Sequence, residues 1–225
     1  MIVAEPKPFH EIAASIQSYK NVLILGCGTC VSVCLTGGDK EAGILADQLR
    51  NEKHFNKSSS HDFLVKTVER QCEKDMVESF LRIPDEIDAI LSLACGAGVQ
   101  TLSGIYEKLP VIPALNTTFL GAFEEPGVWR EKCRGCGDCI LASTGGICPV
   151  SRCAKKLFNG PCGGSSGGKC EINDEVDCAW QLIIERMNIL GRIEDYGKII
   201  PPRDWSTDRG GGPRKLIRPD RNPVI

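Results

Sequence analysis

A chain of 225 residues with 42% hydrophobic side chains can build one large domain or a domain with an appendage. Its formal net charge of −2 offers no basic field for nucleic acid, and apolar runs such as VLILG at 22–26 are far too short to span a bilayer. No basic segment leads into an apolar run and a small-residue cleavage site at the start, so nothing suggests export and a cytoplasmic location is expected.

The first part, residues 1–126, alternates strand-like and helix-like patterns. NVLILG at 21–26 is a short apolar run ended by glycine, which reads as a strand. From Val31 to Asn51, Val33, Leu35, Ala42, Leu45, Ala46 and Leu49 recur largely at helical spacing. A second strand, DFLVKTV at 62–68, precedes a helix, EKDMVESFLRI at 73–83. IDAILSLA at 87–94 precedes the helical GVQTLSGIYEK at 98–108, and VIPAL at 111–115 closes the series. Repeated strand–helix units predict an α/β fold with a doubly wound parallel sheet of the Rossmann or flavodoxin-like kind, its helices on both faces.

Residues 127–198 differ in kind. The stretch to Cys178 carries eight of the thirteen cysteines among many glycines and few large aliphatics. Too little apolar surface is available there to offset the entropy of ordering the chain, so an inorganic crosslink is expected. Asp174 is a candidate cap for a following helix, in which Val176, Ala179, Trp180, Ile183, Ile184, Met187 and Leu190 form an apolar stripe and Gly191 is a fitting stop. The tail at 199–225 holds five prolines, three consecutive glycines and six basic residues against three acidic ones, so it is not expected to be compact alone. It reads either as a disordered end or as an extended arm that docks on a partner through Trp205, Leu216 and Ile217.

In a reducing compartment, clustered thiols serve metal binding or redox chemistry more often than disulfides, and an odd total argues against complete internal pairing. Three four-cysteine sites and one spare thiol would account for all thirteen. Cys27 and Cys30 lie where the first strand hands over to its helix, while Cys72 and Cys95 follow the second and third strands. In an open α/β sheet these strand ends meet at the edge that holds ligands, so the four predict a thiolate metal site, for iron–sulfur or zinc. Cys34, one helical turn beyond Cys30, could replace it as a ligand, act as a fifth nearby thiol or pack as a small buried hydrophobe, and the spare role is the favoured expectation. The surrounding GCGTCVSVCLTGG lacks the third glycine of a dinucleotide loop, for Val31 stands there.

Cys133-x2-Cys136-x2-Cys139 matches the first three ligands of a bacterial-type ferredoxin motif, and Cys148–Pro149 matches its end. Such tight spacing lets three thiolates grip three corners of a cubane, whereas zinc fingers use well-separated pairs. A ferredoxin-like region with two [4Fe–4S] clusters is therefore expected. Eight residues, not three, separate Cys139 from Cys148, which leaves the fourth ligands open. The expected sets are Cys133, Cys136, Cys139 and Cys178 for one cluster, and Cys148, Cys153, Cys162 and Cys170 for the other. In NGPCGGSSGGKC at 159–170, the absence of bulky side chains between the thiols would let backbone approach a cluster; a flexible loop is the plainer reading.

Read together, LGCGTCVSVCLTGG, KCRGCGDCILASTGGICPVSRCAKKLFNGPCGG and DWSTDRGGGPRKLIRP resemble the MetV-type small subunits of bacterial methylenetetrahydrofolate reductase, the methylenetetrahydrofolate reductase C-terminal domain family. The resemblance implies a partner, a MetF-type flavin-binding TIM-barrel subunit that reduces 5,10-methylenetetrahydrofolate to 5-methyltetrahydrofolate in the one-carbon metabolism of acetogens, the Wood–Ljungdahl pathway. It implies that FMN resides only in that partner, that ferredoxin or another donor module supplies electrons, and that Cys133, Cys136, Cys139, Cys148, Cys153, Cys162, Cys170 and Cys178 are cluster ligands. It leaves open whether the N-terminal site holds a third [4Fe–4S] cluster or zinc.

The residues themselves show no constellation for acid–base chemistry on folate: His10, His54 and His61 lie in polar segments, and no acidic pair stands out by spacing. An electron-transfer subunit without catalytic residues is the leading expectation. A redox-inert zinc-thiolate scaffold for the same flavoprotein, and a zinc thiolate that activates a methyl-accepting thiol, are the rivals. Truncation after Ile200 is expected to weaken partner binding and leave cluster content unchanged, because the tail holds no cysteine.

Overall fold

A computed structural model describes residues 1–52, 55, 61–203, 205–208, 213–216 and 218, and its contacts divide the chain into Met1–Arg130 and Glu131–Ile225. In the first unit, four strands form a parallel sheet in the order β3-β2-β4-β5, comprising β2 (Asn21–Cys27), β3 (Asp62–Val68), β4 (Ala89–Leu93) and β5 (Val111–Pro113). The central strands β2 and β4 are near-continuous apolar runs because both faces are covered. Helices α1 (Phe9–Ile16) and α3 (Asp39–Asn51) place Ile12, Ile16, Ala42, Leu45, Ala46 and Leu49 against Val22, Ile24 and Leu91 on one face. Helices α4 (Lys74–Phe80) and α5 (Gly96–Ile105) set Val77 and Leu102 against Leu23, Leu25 and Ile90 on the other. Each such fully buried aliphatic side chain contributes about 1.5–3 kcal/mol, so this unit has a carbon core independent of any metal.

Two features of this unit differ from the sequence expectation. The helical stretch after β2 is broken: α2 (Cys30–Val33) is a single turn, Leu35 takes a left-handed φ of 59°, and α3 starts only at Asp39. The Glu41 carboxylate accepts the Gly38 amide at 3.0 Å and so fixes that start. A second, antiparallel sheet in the order β1-β6-β7 joins β1 (Ile2–Pro6), β6 (Leu115–Glu125) and β7 (Val128–Cys133). Gly127, at φ 84°, turns the chain between β6 and β7.

The second unit is built on a small core of Cys178, Trp180, Ile183 and Met187, with Ile147, Cys153, Leu157 and Tyr196 packed against it. Its elements are α6 (Pro149–Arg152), a two-stranded sheet of β8 (Lys169–Cys170) and β9 (Asn173–Asp177), α7 (Ala179–Ile189) and α8 (Ile193–Tyr196). Asp174 is therefore no helix cap. It lies in β9, where Val176 is exposed, and Cys178 occupies the N-cap of α7. The antiparallel pairing of Lys169 with Asp177, reinforced by an ion pair at 2.6 Å, holds these residues in a strand. Gly191 follows the helix at a φ of 66°, as its reading as a stop requires.

Tail residues fold back within this unit. The Asn159 side chain exchanges two hydrogen bonds with the Ile200 backbone, at 2.9 and 2.7 Å, and Trp205 meets Phe158 edge to face at 5.6 Å. Among the described residues, no helix is long and apolar enough to cross a membrane.

Candidate functional site

The parallel sheet reverses its winding between β2 and β4: from β2 the chain goes first to β3 on one side and then to β4 on the other. The carboxyl ends of β2 and β4 therefore flank the topological switch point, where open α/β sheets place their ligands. Cys27 ends β2, Cys30 opens α2, Cys72 follows β3, and Cys95 is the N-cap of α5. These four thiols converge. The Cys72 thiol is pushed above its ordinary value first by burial and next by the proximity of Cys95, Cys27 and Cys30.

Four contacts build this crevice. Gln71, fully buried beside Cys72, donates its amide to the Leu25 carbonyl at 2.7 Å and accepts the Ser92 hydroxyl at 2.5 Å, which ties the Cys72 loop to β2 and β4. The Cys27 thiol lies 3.8 Å from the Glu69 carbonyl. Thr117 of β6 accepts the Gly96 amide at 2.8 Å, one residue beyond Cys95. Neither Gln71 nor Thr117 was marked by the sequence; a lone glutamine next to a cysteine carries no spacing signal. Cys34 is 4% exposed, with its thiol donating to the Ile2 carbonyl at 3.4 Å. The loop amides at Cys27 and Gly28 are committed to the Gly37 and Val68 carbonyls at 2.8 and 2.9 Å.

In the second unit, Cys153, Cys162, Cys170 and Cys178 line one enclosed cavity with Arg152, Lys155, Glu171 and Trp180. The Cys162 sulfur lies 3.4 Å from the Glu171 carboxylate, which also pairs with Lys155, and it accepts the Gly164 amide at 3.4 Å. Gly163, Gly167 and Gly168, at φ 81°, 57° and 82°, let the loop turn back, and the Gly168 carbonyl accepts the Cys178 amide at 2.7 Å. Cys178 thus joins the cavity set, and Cys148 does not line it.

Cys133, Cys136 and Cys139 sit on a separate loop, where the Cys133 sulfur accepts the Gly135 amide at 3.3 Å and Gly135 and Gly137 take φ values of 63° and 91°. Cys148 is the N-cap of α6, and Ser151 of that helix donates to the Lys132 carbonyl at 3.1 Å, which ties α6 to the residue before Cys133. Amides directed at sulfur stabilise thiolates and favour their use as ligands. Among the described residues, no group of three or more Cys, His, Asp or Glu side chains is arranged as a coordination shell for an ion. The donor chemistry nevertheless suits thiolate-ligated groups, with converging thiols, a four-cysteine cavity and amide donors on sulfur. His10 is exposed and His61 packs its ring 5.0 Å from Phe55, so neither described histidine joins these sites; His54 lies outside the described residues.

No curated protein and no solved structure matches the chain. Residues 112–206, which carry all eight cysteines of the second unit, match the family model described as methylene-tetrahydrofolate reductase C terminal.

Proposed function

We propose that this chain is an iron–sulfur electron-transfer subunit of methylenetetrahydrofolate reductase, relaying electrons to FMN in a MetF-type flavoprotein that reduces 5,10-methylenetetrahydrofolate. The family match connects the chain to that enzyme system. The observation that carries the redox reading is the distribution of cysteines inside the matched segment: four around one cavity and three on a tight loop, with a fourth on the helix tied to that loop. Iron–sulfur clusters bound there would supply one-electron chemistry. The protein's own residues would hold them, direct amides at their sulfurs and exclude water.

The ligand sets that follow are Cys153, Cys162, Cys170 and Cys178 for one cluster, and Cys133, Cys136, Cys139 and Cys148 for the other. They exchange Cys148 and Cys178 relative to the expectation from spacing alone. The crevice at Cys27, Cys30, Cys72 and Cys95 is proposed as a third thiolate site, for a [4Fe–4S] cluster or zinc. Ferredoxin or a similar one-electron donor is the proposed source of reducing equivalents.

Anaerobic purification with iron, sulfide and zinc measured on one sample tests this reading. About eight iron and eight sulfide per chain are expected from the two cubanes of the second unit, and about twelve of each where the third site also holds a cubane, with broad absorbance near 400 nm that bleaches under dithionite. A colourless protein with stoichiometric zinc that still supports full flavoprotein turnover would replace it with the zinc-thiolate scaffold.

A further inference from the structure

Arg203, on the tail, is an unusual arginine. Its side chain is 2% exposed, and its guanidinium lies 4.8 Å from the Trp205 ring and 5.8 Å from the Phe158 ring. Its one ion pair among the described residues is with Asp138, Nε to Oδ2 at 3.3 Å, and Nε, Nη1 and Nη2 find no hydrogen-bond partner among those residues. A guanidinium cannot escape burial by losing its proton, and five buried donors with a single off-axis carboxylate are poorly compensated. The aromatic faces supply some attraction but accept no strong hydrogen bond. Such a group calls for a further anion.

The place of Asp138 indicates which anion. It lies between Cys136 and Cys139, and its carbonyl is 3.8 Å from the Cys136 sulfur. A second tail arginine reaches the same loop, as Arg214 donates to the Gly135 carbonyl at 2.8 Å. The Asn159–Ile200 hydrogen bonds and the Phe158–Trp205 contact anchor the tail in this position. Tail cations thus gather over the one loop whose thiolates are closest in sequence.

We infer that Arg203 is the charge-compensating residue of the thiolate-bound group on the Cys133–Cys139 loop and holds its reduction potential up. The inference rests on the iron–sulfur reading above. Reduction adds one electron from a one-electron donor and makes the group more negative by one charge, with no bond made or broken. A fixed, desolvated cation nearby favours that reduced state over the oxidised one. Asp138 opposes it by partly cancelling the guanidinium field.

The test is a dithionite titration of the full chain, purified anaerobically and followed by electron paramagnetic resonance, with iron and sulfide measured for every variant. R203Q is expected to keep its iron and to lower one midpoint by a factor of about ten in the reduction equilibrium, 59 mV for a one-electron couple, leaving the other midpoint in place. R203K, which keeps the charge but loses the fork, is expected to fall by less. D138N, nearly isosteric, is expected to move the same midpoint upward. It decides the matter should R203Q fail to load iron. Unchanged midpoints in loaded R203Q, or in loaded D138N where R203Q does not load, overturn the role of Arg203 while the iron–sulfur reading stands. A wild-type protein without iron overturns both.

Discussion

Gln71 shows how much of the first-unit crevice depends on a side chain that is not itself a ligand. Both ends of its amide are used, on Leu25 and Ser92, and it is fully buried. Gln71→Ala strands the Ser92 hydroxyl in the core, so unfolding free energy is expected to fall by about 1–3 kcal/mol in denaturant titration. On the proposed reading, metal content at the Cys72 site should fall with it, whereas that of the second unit should be retained. Cys34 makes a contrasting case. Burial, more than its neighbour Cys30, raises its thiol above the ordinary value, partly opposed by the backbone contact at Ala4. The folded protein therefore holds this proton more tightly than the unfolded chain does. The corresponding stability is fully present below the ordinary thiol range and is lost as pH rises through the raised folded value. Cys34→Ala is expected to flatten that alkaline decline in melting temperature without changing metal content, which would establish it as the spare thiol.

At the scale of elements, the strand-end cysteines were legible because two rules act together: an apolar run ended by glycine marks a strand, and a parallel sheet brings its strand ends to one edge. Which cysteines line the second-unit cavity was not legible, since that depends on how the loop from Gly163 to Gly168 turns, and positive φ at glycine leaves no periodic trace in sequence. Residues Asn173–Asp177 were misread for a related reason. Val176 and Ala179 fit a helical stripe by spacing, but pairing with β8 makes a strand of the segment and leaves Cys178 to cap α7. The β1-β6-β7 sheet was missed because β6 alternates poorly, with Asn116, Thr117 and Thr118 in succession. The exchanged ligand sets make a direct prediction. Cys178→Ser and Cys162→Ser should perturb one and the same paramagnetic signal, and Cys148→Ser and Cys136→Ser the other. Pairing of Cys148 with Cys162 instead would restore the grouping read from spacing.

At the scale of the whole molecule, the division of labour rests on the tail, which sequence composition presented as an arm for a partner. The described residues give it two faces. Arg203, Trp205 and Arg214 turn toward Phe158, Asp138 and Gly135 of their own unit, while Ile199 and Leu216 are 85% and 77% exposed. The first set bears on the proposed charge balance, and the second is the exposed apolar surface that the proposed partner would cover. Truncation after Ile200 removes the arginines and Leu216 but no cysteine. Iron content should therefore persist, one midpoint should fall as in R203Q, and capture of the flavoprotein in a pull-down should weaken. R203Q leaves Leu216 in place, so it should lower the midpoint with capture unchanged. A truncated chain that loses its partner yet keeps both midpoints would make the tail a docking arm alone, because the cations it carries would then contribute nothing to the charge balance at Cys133–Cys139.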